Sequence, residues 1–322
     1  MFRTKVIPKI SEHKIDLTDK ILALGSCFAQ NIGQKFQDYK FDVNVNPFGT
    51  LFNPLSIFKL VNQAALHEII EALGIVENQG IFHHYDLHSD LSNVDKETLL
   101  LNANEVLRNI GEQIPRTSII IYTFGTAIVY ELKETGNIVA NCHKVPSNRF
   151  DRRLLSIEEI IHGFNVNYDL IKSMNTQAHF ILTVSPVRHQ KESFEQNNVS
   201  KSILRVACEK IVDQHVDVAY FPAFEIMMDE LRDYRFYDED MLHPNAVATH
   251  YIWEKFQESY FDEKQKQFVL KWEKVRKALA HKPFNRESTQ HHLFVEKTIR
   301  LLEEFKSITD ISKELKLLKA QL

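Results

Sequence analysis

The sequence predicts an α/β fold, a three-layer α/β/α sandwich built on a mainly parallel sheet. Short apolar runs of strand length alternate with longer stretches of helical periodicity along most of the 322-residue chain. Strands that alternate with helices of this length favour parallel pairing, with helices on both faces of the sheet. The predicted strands are residues 21–24, 41–45, 118–123, 179–184 and 216–221. The predicted helices are residues 26–39, 54–65, 96–114, 156–174, 197–215 and 246–258.

Two local patterns refine this prediction. Ser156 and Glu159 have the spacing of a capping box, which strengthens the predicted start of the helix at residue 156. Residues 127–132 and 137–140 flank Thr135-Gly136, and this arrangement predicts a small hairpin excursion from the sheet.

The composition of the chain changes after about residue 260. Residues 263–280 form a Lys-rich helical pattern, and residues 293–322 are helical again. We therefore predict a main domain over residues 1–262, with an inserted region near residues 66–95, and a helical C-terminal extension over residues 263–322. The extension carries an apolar stripe that we expect to pack on the body of the domain, with a homodimer through these helices as the alternative. The stripe consists of Leu301, Phe305, Ile308, Ile311, Leu315 and Leu318.

Composition excludes several classes of function. With 44% hydrophobic and 25% charged residues and a net charge of -4, the chain has no electrostatic footprint for nucleic acid. Its three cysteines are too scattered for a disulfide framework or a zinc site. No apolar run is long enough to span a membrane, so we expect no membrane association and a cytoplasmic location. P-loop and dinucleotide-binding motifs are absent from the sequence, and we expect no cofactor.

The run Gly25-Ser26-Cys27-Phe28-Ala29 directly follows the first predicted strand. Ser26 is thereby placed at a helix N-terminus, where unpaired N–H groups favour an alkoxide or an oxyanion. Ligands of open parallel sheets bind at this carboxyl end of the strands. Serine is also a preferred N-cap, so a purely structural role is the alternative. Cys27 points about a quarter-turn away around the helix and is expected to pack.

A serine hydroxyl needs a base, and Asp240 and His243 supply a carboxylate and an imidazole three residues apart. The pair follows the last predicted strand in a loop bounded by Pro244. A carboxylate at this spacing can accept the ring N–H, which fixes the tautomer that leaves the other nitrogen free for the serine. Alternatively, Asp240 is a loop acid and His243-Pro244 is a helix entry.

Together these two segments resemble the GSCFA family, a branch of the SGNH (GDSL-type) hydrolases. The resemblance covers about residues 15–260, and Gly-Ser-Cys-Phe-Ala is its most specific part. It implies an SGNH-hydrolase, flavodoxin-like fold and a catalytic triad of Ser26, Asp240 and His243.

The resemblance also implies donors for an oxyanion. The superfamily has a glycine after its second strand, which Gly49 matches, and the amides of Gly49 and Ser26 are the expected donors. The asparagine expected after the third strand is absent, and a segment containing Gly125 and Thr126 takes its place. The Thr126 hydroxyl or the amides of Gly125 and Thr126 are the expected substitutes. Loss of an oxyanion donor costs roughly 10²–10³ in turnover, so this departure bears on activity.

Two polar clusters are candidates for substrate binding. Arg188 and His189 follow the predicted strand 179–184 at the carboxyl edge of the sheet, where Arg188 could clamp a carboxylate or a sugar hydroxyl. Asn141 and His143 close the predicted hairpin. For each cluster the alternative is a hydrated loop.

A run of histidines over residues 83–88 suggests a metal site at first sight. His84, Asp86 and His88 would share one face of a strand. No further ligand is identifiable, so we predict no metal site and a structural or substrate-rim role for this run.

We therefore expect a serine esterase that cleaves O-acyl esters, including O-acetyl esters, through an acyl-serine intermediate. The expected substrate is a small-molecule or carbohydrate ester, and the carbohydrate is implied by the resemblance alone. Two other classes stay open. One is an O-acyltransferase that uses the same site, and the other is a non-catalytic ligand-binding module.

Overall fold

The computed structural model describes residues 3–191, 193–285 and 287–322, and within them ten strands form three sheets. The strands, numbered β1 to β10 in chain order, are Lys20–Gly25, Asp42–Val45, Ile75–Asn78, Ile81–His84, Ile119–Phe124, Ile128–Leu132, Ile138–Val139, Phe150–Leu154, His179–Val184 and Val218–Tyr220.

The central sheet has five strands in the order β10-β9-β5-β1-β2, and every neighbouring pair is parallel. These are the five strands that the sequence predicts, so the mixed α/β class and the mainly parallel sheet are confirmed. The three innermost strands are built from long apolar runs because both of their faces are buried. In the register of the sheet, Leu22 of β1 pairs with Ile120 of β5, and Ile121 of β5 pairs with Ile181 of β9.

Ten α-helices lie between and after the strands in the described part of the chain. Helix α4 begins with the predicted capping box, since Ser156 Oγ accepts from the Glu159 amide and the Glu159 carboxylate accepts from the Ser156 amide. None of the helices in the described ranges is both long and apolar enough to cross a membrane. The helices, numbered α1 to α10, are Cys27–Asp38, Pro54–Ala65, Lys96–Gln113, Ile157–Met174, Phe194–Gln214, Ala223–Glu225, Ala246–Tyr260, Glu263–Ala280, Thr289–Glu303 and Ser312–Lys319.

Both faces of the central sheet are packed, as the alternation of side chains in β1 demonstrates. Leu22 and Leu24 belong to one buried apolar cluster, which contains residues of helices α2, α3, α4 and α5. Ile21 and Ala23 point the other way into a second cluster, which contains residues of α1, α7, α8, α9 and α10. The first strand therefore lies in the middle of the core and is held rigidly from both sides.

Two small antiparallel sheets lie outside the central one. The predicted hairpin is present, because β6 pairs with β7, and a strand not expected from the sequence, β8, pairs with the other edge of β6. The inserted region forms a second unexpected hairpin, β3-β4. Its turn is Gln79-Gly80, and both residues have positive φ angles of 54° and 76°, the conformation of a tight hairpin turn.

The C-terminal helices pack on α1 and not away from the body. Trp272 Nε1 donates to the carbonyl of Asp38 at 3.0 Å, and Lys40 pairs with Glu314 at 2.7 Å. The prediction of continuous helix over residues 293–322 is wrong, because the chain leaves the helix after α9 and re-enters it at α10. The break turns Ile308 outward, 54% exposed, whereas Phe305 remains buried at 2%.

Candidate active site

The parallel strands bring several loops to one edge of the central sheet. Because β1, β2, β5 and β9 run in the same direction, the segments that follow them all begin at the carboxyl edge. These segments begin at Ser26, Asn46, Gly125 and Ser185 respectively. The edge is where ligands bind in open parallel sheets.

Ser26 is held at the junction of β1 and α1. Gly25 has a φ of 139°, and a Cβ at this position would lie 2.1 Å from the carbonyl oxygen of Thr123, so the tight turn requires glycine. Ser26 is the N-cap of α1, and its Oγ accepts a hydrogen bond from the Phe28 amide at 3.3 Å. Its own amide donates to the Thr123 carbonyl at 3.1 Å. The serine is 1% exposed and fixed at the positive end of a helix.

The structure brings Asp240 and His243 together as the spacing predicts. His243 Nδ1 lies 2.5 Å from Asp240 Oδ2, while Asp240 Oδ1 accepts from the amides of Leu242 and His243 at 2.8 and 2.9 Å. The hydrogen bonds from His243 and Leu242 lower the pKa of Asp240 to about 2, so the carboxylate is ionised at neutral pH. An ionised carboxylate can only accept, so Nδ1 carries the proton and Nε2 is left as the basic nitrogen.

Ser26 and His243 line the same pocket, whose volume is about 430 Å³. In the described ranges of the chain, no hydrogen bond joins the two side chains. Ser26 Oγ accepts from the Phe28 amide, and this bond leaves its O–H free to donate. Arg188 lines the pocket and connects it to the loop that carries His243. Its amide donates to Leu242 O at 3.2 Å, and its guanidinium donates to Met241 O at 3.3 Å. The described lining residues are Ser26, Cys27, Phe52, Val187, Arg188, His189, Gln190, Lys191, Leu242 and His243.

The expected oxyanion donors are engaged elsewhere. The Gly49 amide donates to Asn46 O at 2.8 Å, and the Gly125 and Thr126 amides donate to Phe52 O at 2.8 and 3.0 Å. The Thr126 hydroxyl lies 2.9 Å from Ser200 Oγ. None of the three residues is among the described residues that line the Ser26 pocket. The structure therefore uses these amides to close turns, and it does not present them to Ser26.

Gly49 has a structural reason to be glycine. Its φ is 76°, and a Cβ there would lie 2.2 Å from the Cβ of His88. The residue thus makes the tight turn after β2 and lets the inserted region approach closely.

Asn46 is a site residue that the sequence reasoning missed. Its Oδ1 accepts from the Gly25 amide at 2.9 Å, so it supports the turn that carries Ser26. The residue is only 8% exposed, and its Nδ2 is buried without a hydrogen-bond partner in the described structure. A buried unsatisfied donor is rare and calls for an explanation. The only sequence signal was its place directly after a predicted strand.

The first turns of α5 form a second group that the sequence reasoning missed. Asn197 Oδ1 accepts from the His189 amide at 3.0 Å, and Ser200 Oγ accepts from the Ala127 amide at 2.7 Å. Lys201 is fully buried and donates from Nζ to the carbonyls of Gly125 and Ser185, both at 2.7 Å. At helical spacings of three and four, these side chains lie on one face and hold the loops that follow β5 and β9. The sequence does contain a signal for this group, because Asn197, Ser200 and Lys201 continue the apolar face of α5.

Of the other predicted binding residues that the structure describes, only His189 lines both the Ser26 pocket and the cavity next to it. His189 lines the Ser26 pocket and an adjoining cavity, whereas Asn141 and His143 line the adjoining cavity alone, among the described residues. Burial, together with the charge of Lys201, lowers the pKa of His189 to about 4. Burial likewise lowers the pKa of His143 to about 4, so both rings are neutral at physiological pH.

The histidine run over residues 83–88 is used structurally. Strand β4 ends at His84, so His84, Asp86 and His88 do not share a strand face. His84 Nδ1 accepts from the Asp86 amide and Nε2 donates to Glu71 O, at 3.1 Å in both cases. Within the described ranges, no group of three or more His, Cys, Asp or Glu side chains is arranged to hold a metal ion.

Comparison with protein families gives two matches. The sequence profile of the GSCFA family matches residues 20–256, and that of the GSCFA domain protein, C-terminal domain, matches residues 272–322. The chain belongs to the GSCFA family. The matched region of this GSCFA protein contains Ser26, Asn46, Lys201, Asp240 and His243. No curated protein gives a match.

Proposed function

We propose that this GSCFA protein is a serine esterase that cleaves O-acyl esters through an acyl-serine intermediate. The observation that supports this most is that His243, held by Asp240 at 2.5 Å, lines the same pocket as the helix-capping Ser26. A serine, a base and a group that orients the base are the minimum set for such chemistry.

In this proposal His243 Nε2 takes the hydroxyl proton as Ser26 Oγ forms a bond to the ester carbon. The imidazolium that results is stabilised by the ionised Asp240. It returns the proton to the alkoxide as the ester bond breaks, so the alcohol leaves neutral. Water then attacks the acyl-serine and gives a proton to His243. The imidazolium passes this proton to Ser26 Oγ as the acyl–serine bond breaks and the acid leaves. Before attack, the Ser26 O–H must be directed at His243 Nε2, and Oγ can accept from the Phe28 amide at the same time.

We assign the oxyanion to two donors on residues that flank or support the Ser26 turn, other than those expected from the family. The Cys27 amide is at the first position of α1, where a helix leaves its N–H groups without intrahelical acceptors. The buried Asn46 Nδ2 belongs to the side chain that holds Gly25. Each such donor is worth roughly 10²–10³ in turnover where it contacts the developing charge.

We extend the proposal to the superfamily and to the substrate. The parallel sheet with packed faces, an early nucleophile and a late Asp-x-x-His support membership in the SGNH hydrolases, with their three-layer α/β/α sandwich. An O-acylated, including O-acetylated, carbohydrate is the substrate class we propose by this analogy.

A non-catalytic ligand-binding module is the second candidate, and one observation favours it. Among the described residues no hydrogen bond joins Ser26 and His243, and the amides of Gly49, Gly125 and Thr126 are all engaged by main-chain carbonyls. If this arrangement is permanent, the pocket binds without reacting.

A fluorophosphonate probe separates the two candidates. We expect the wild-type protein to be labelled, peptide mass mapping to locate the adduct on Ser26, and His243→Ala to slow labelling strongly. A folded wild-type protein that stays unlabelled would support the binding module. Adding a sugar alcohol to the ester assay and measuring acylated sugar against free acid distinguishes a hydrolase from an O-acyltransferase.

A further inference from the structure

A second cavity of about 440 Å³ adjoins the Ser26 pocket. The two share three wall residues, Phe52, His189 and Lys191, and therefore meet along this boundary. The second cavity lies between this boundary and the small sheet of β6, β7 and β8. A substrate with its ester at Ser26 would enter this space if it extended past the shared residues.

The wall of the second cavity is apolar and its rim is cationic. Ile128, Val129 and Val139 come from the small sheet and form part of the apolar wall. Lys144 and Lys191 also line the cavity, and both are exposed. Lys191 Nζ lies 5.3 Å from the centroid of the Tyr130 ring, at the side of the cavity nearer to Ser26. Such a cavity suits a molecule with an apolar body and a charged group.

The sign of that charge follows from the side chains around both cavities. Arg188, Lys191 and Lys144 line them, and none of the described lining residues is Asp or Glu. Nor does any of these three cations form an ion pair with a carboxylate in the described ranges. Because the whole protein carries a net charge of -4, this local excess of positive charge is against the overall trend. A cleft lined by one sign of charge concentrates ligands of the opposite sign.

We propose that the second cavity binds an anionic group, a carboxylate or a phosphate, on the alcohol portion of the ester substrate. This inference rests on the esterase function proposed above. A small acyl group is accommodated beside Ser26, so the part of the substrate long enough to reach Lys144 is the alcohol. The neutral rings of His143 and His189 line the same cavity and offer hydrogen bonds to uncharged hydroxyl groups of that alcohol.

Two esters of equal size test this inference, 4-acetoxybenzoate and 4-acetoxybenzamide, which differ in charge at the position remote from the ester. We expect the wild-type protein to prefer the carboxylate about tenfold in kcat/KM, equivalent to about 1.4 kcal/mol. The double variant Lys144→Gln, Lys191→Gln should lose this preference, measured as the ratio of kcat/KM for the two esters. The preference should also shrink with added salt. 4-Acetoxyphenyl phosphate, assayed alongside, reveals whether phosphate is preferred to carboxylate.

A matched double variant, Lys210→Gln, Lys271→Gln, changes the net charge equally at exposed positions outside the lining of either cavity. It should keep the wild-type preference. The inference is overturned if the Lys144, Lys191 variant keeps the preference, or if the wild type cleaves both esters equally well. Titrating 4-hydroxybenzoate and 4-hydroxybenzamide by NMR covers failure of the esterase proposal. If the protein hydrolyses neither ester but binds 4-hydroxybenzoate in a way that requires Lys144 and Lys191, the anion site is supported and the esterase is refuted. If it does not bind the acid in this way either, the anion site is refuted as well.

Discussion

Lys201 Nζ lies 2.7 Å from the carbonyl oxygen of Ser185, in a site where the lysine side chain is fully buried. A second contact of the same length, to Gly125 O, links the loops that follow β5 and β9. Burial lowers the pKa of Lys201 to about 7. The ammonium is thus held by two carbonyl dipoles at the edge of the sheet, directly under the loop that carries His189.

This geometry predicts an unusual dependence of stability on pH. The pKa of Lys201 is about 7 in the folded protein, whereas that of an ordinary lysine is 10.5, so between these pH values the unfolded chain binds the extra proton. The burial penalty is fully present below about pH 7 and is relieved as the pH rises toward 10.5. The free energy of unfolding of the wild type minus that of Lys201→Met should therefore rise by about 2 kcal/mol from pH 7 to pH 9.

Urea titrations of both proteins at the two pH values measure this difference, in which the contributions of other groups cancel. Lys210→Met, an exposed lysine on the same helix, is the control and should give a difference that does not change with pH. A flat difference for Lys201→Met would mean that the buried amine remains charged throughout.

The parts of this molecule that could be predicted from its sequence are those that local patterns determine. Residues 21–24 are continuously apolar because β1 is buried on both faces, and a capping box needs only Ser156 and Glu159. The Asp240–His243 contact closes within a single loop, so its spacing alone predicts that the two groups meet.

What could not be predicted depends on contacts between distant segments. Lys201 has the register of a core residue in α5, but nothing local indicates that Gly125 and Ser185 supply its acceptors. Gly49 has the expected position for an oxyanion donor, yet its amide closes a turn onto Asn46. The direction of a single N–H depends on φ and ψ at that residue, which sequence position does not specify.

The identity of the nucleophile gives a second prediction. Burial raises the pKa of the Cys27 thiol, so the thiolate required for attack is scarce, although Cys27 lines the same pocket as Ser26. Ser26→Ala should abolish hydrolysis of 4-nitrophenyl acetate and cost about 1 kcal/mol of stability as an N-cap is lost. Cys27→Ala should keep most of kcat. The opposite pattern in two folded variants would make Cys27 the nucleophile.

Asn46 gives a third prediction, which separates the role of its side-chain oxygen from that of its side-chain nitrogen. Asn46→Asp keeps an oxygen to accept from the Gly25 amide but replaces the unpaired Nδ2 donor. If Nδ2 contacts the oxyanion, kcat should fall by roughly 10²-fold with little change in KM. Thermal unfolding of the variant checks that the fold survives the substitution. A folded variant with wild-type kcat would leave Asn46 with only its support of the turn.

Removal of metal ions gives a fourth prediction. Both ring nitrogens of His84 are hydrogen-bonded to main-chain groups, and the chemistry proposed for Ser26 and His243 needs no metal. Dialysis against EDTA should therefore leave ester hydrolysis unchanged, and His84→Ala should alter stability more than kcat. Stoichiometric zinc by elemental analysis, with activity lost in EDTA and restored by zinc, would contradict the serine mechanism.

The final prediction concerns the part that Asp240 plays in turnover. His243 accepts the proton from Ser26 at Nε2, which leaves a charged imidazolium in the transition state. Asp240, with its pKa of about 2, is charged at neutral pH and stabilises this imidazolium. Asp240→Asn removes that charge.

The same substitution should lower turnover by roughly 10²–10⁴-fold, because an amide favours the wrong tautomer and cannot stabilise the imidazolium. The loss should appear in kcat and not in KM, since the carboxylate acts on a charge that forms only in the transition state. Glu239→Gln removes a neighbouring charge that makes no contact with His243 among the described residues, and it is the matched control. Because Asp240 also holds the Leu242 and His243 amides, circular dichroism of the variant should accompany the kinetics. A folded variant with unchanged kcat would make Asp240 a loop residue and remove the triad from the mechanism.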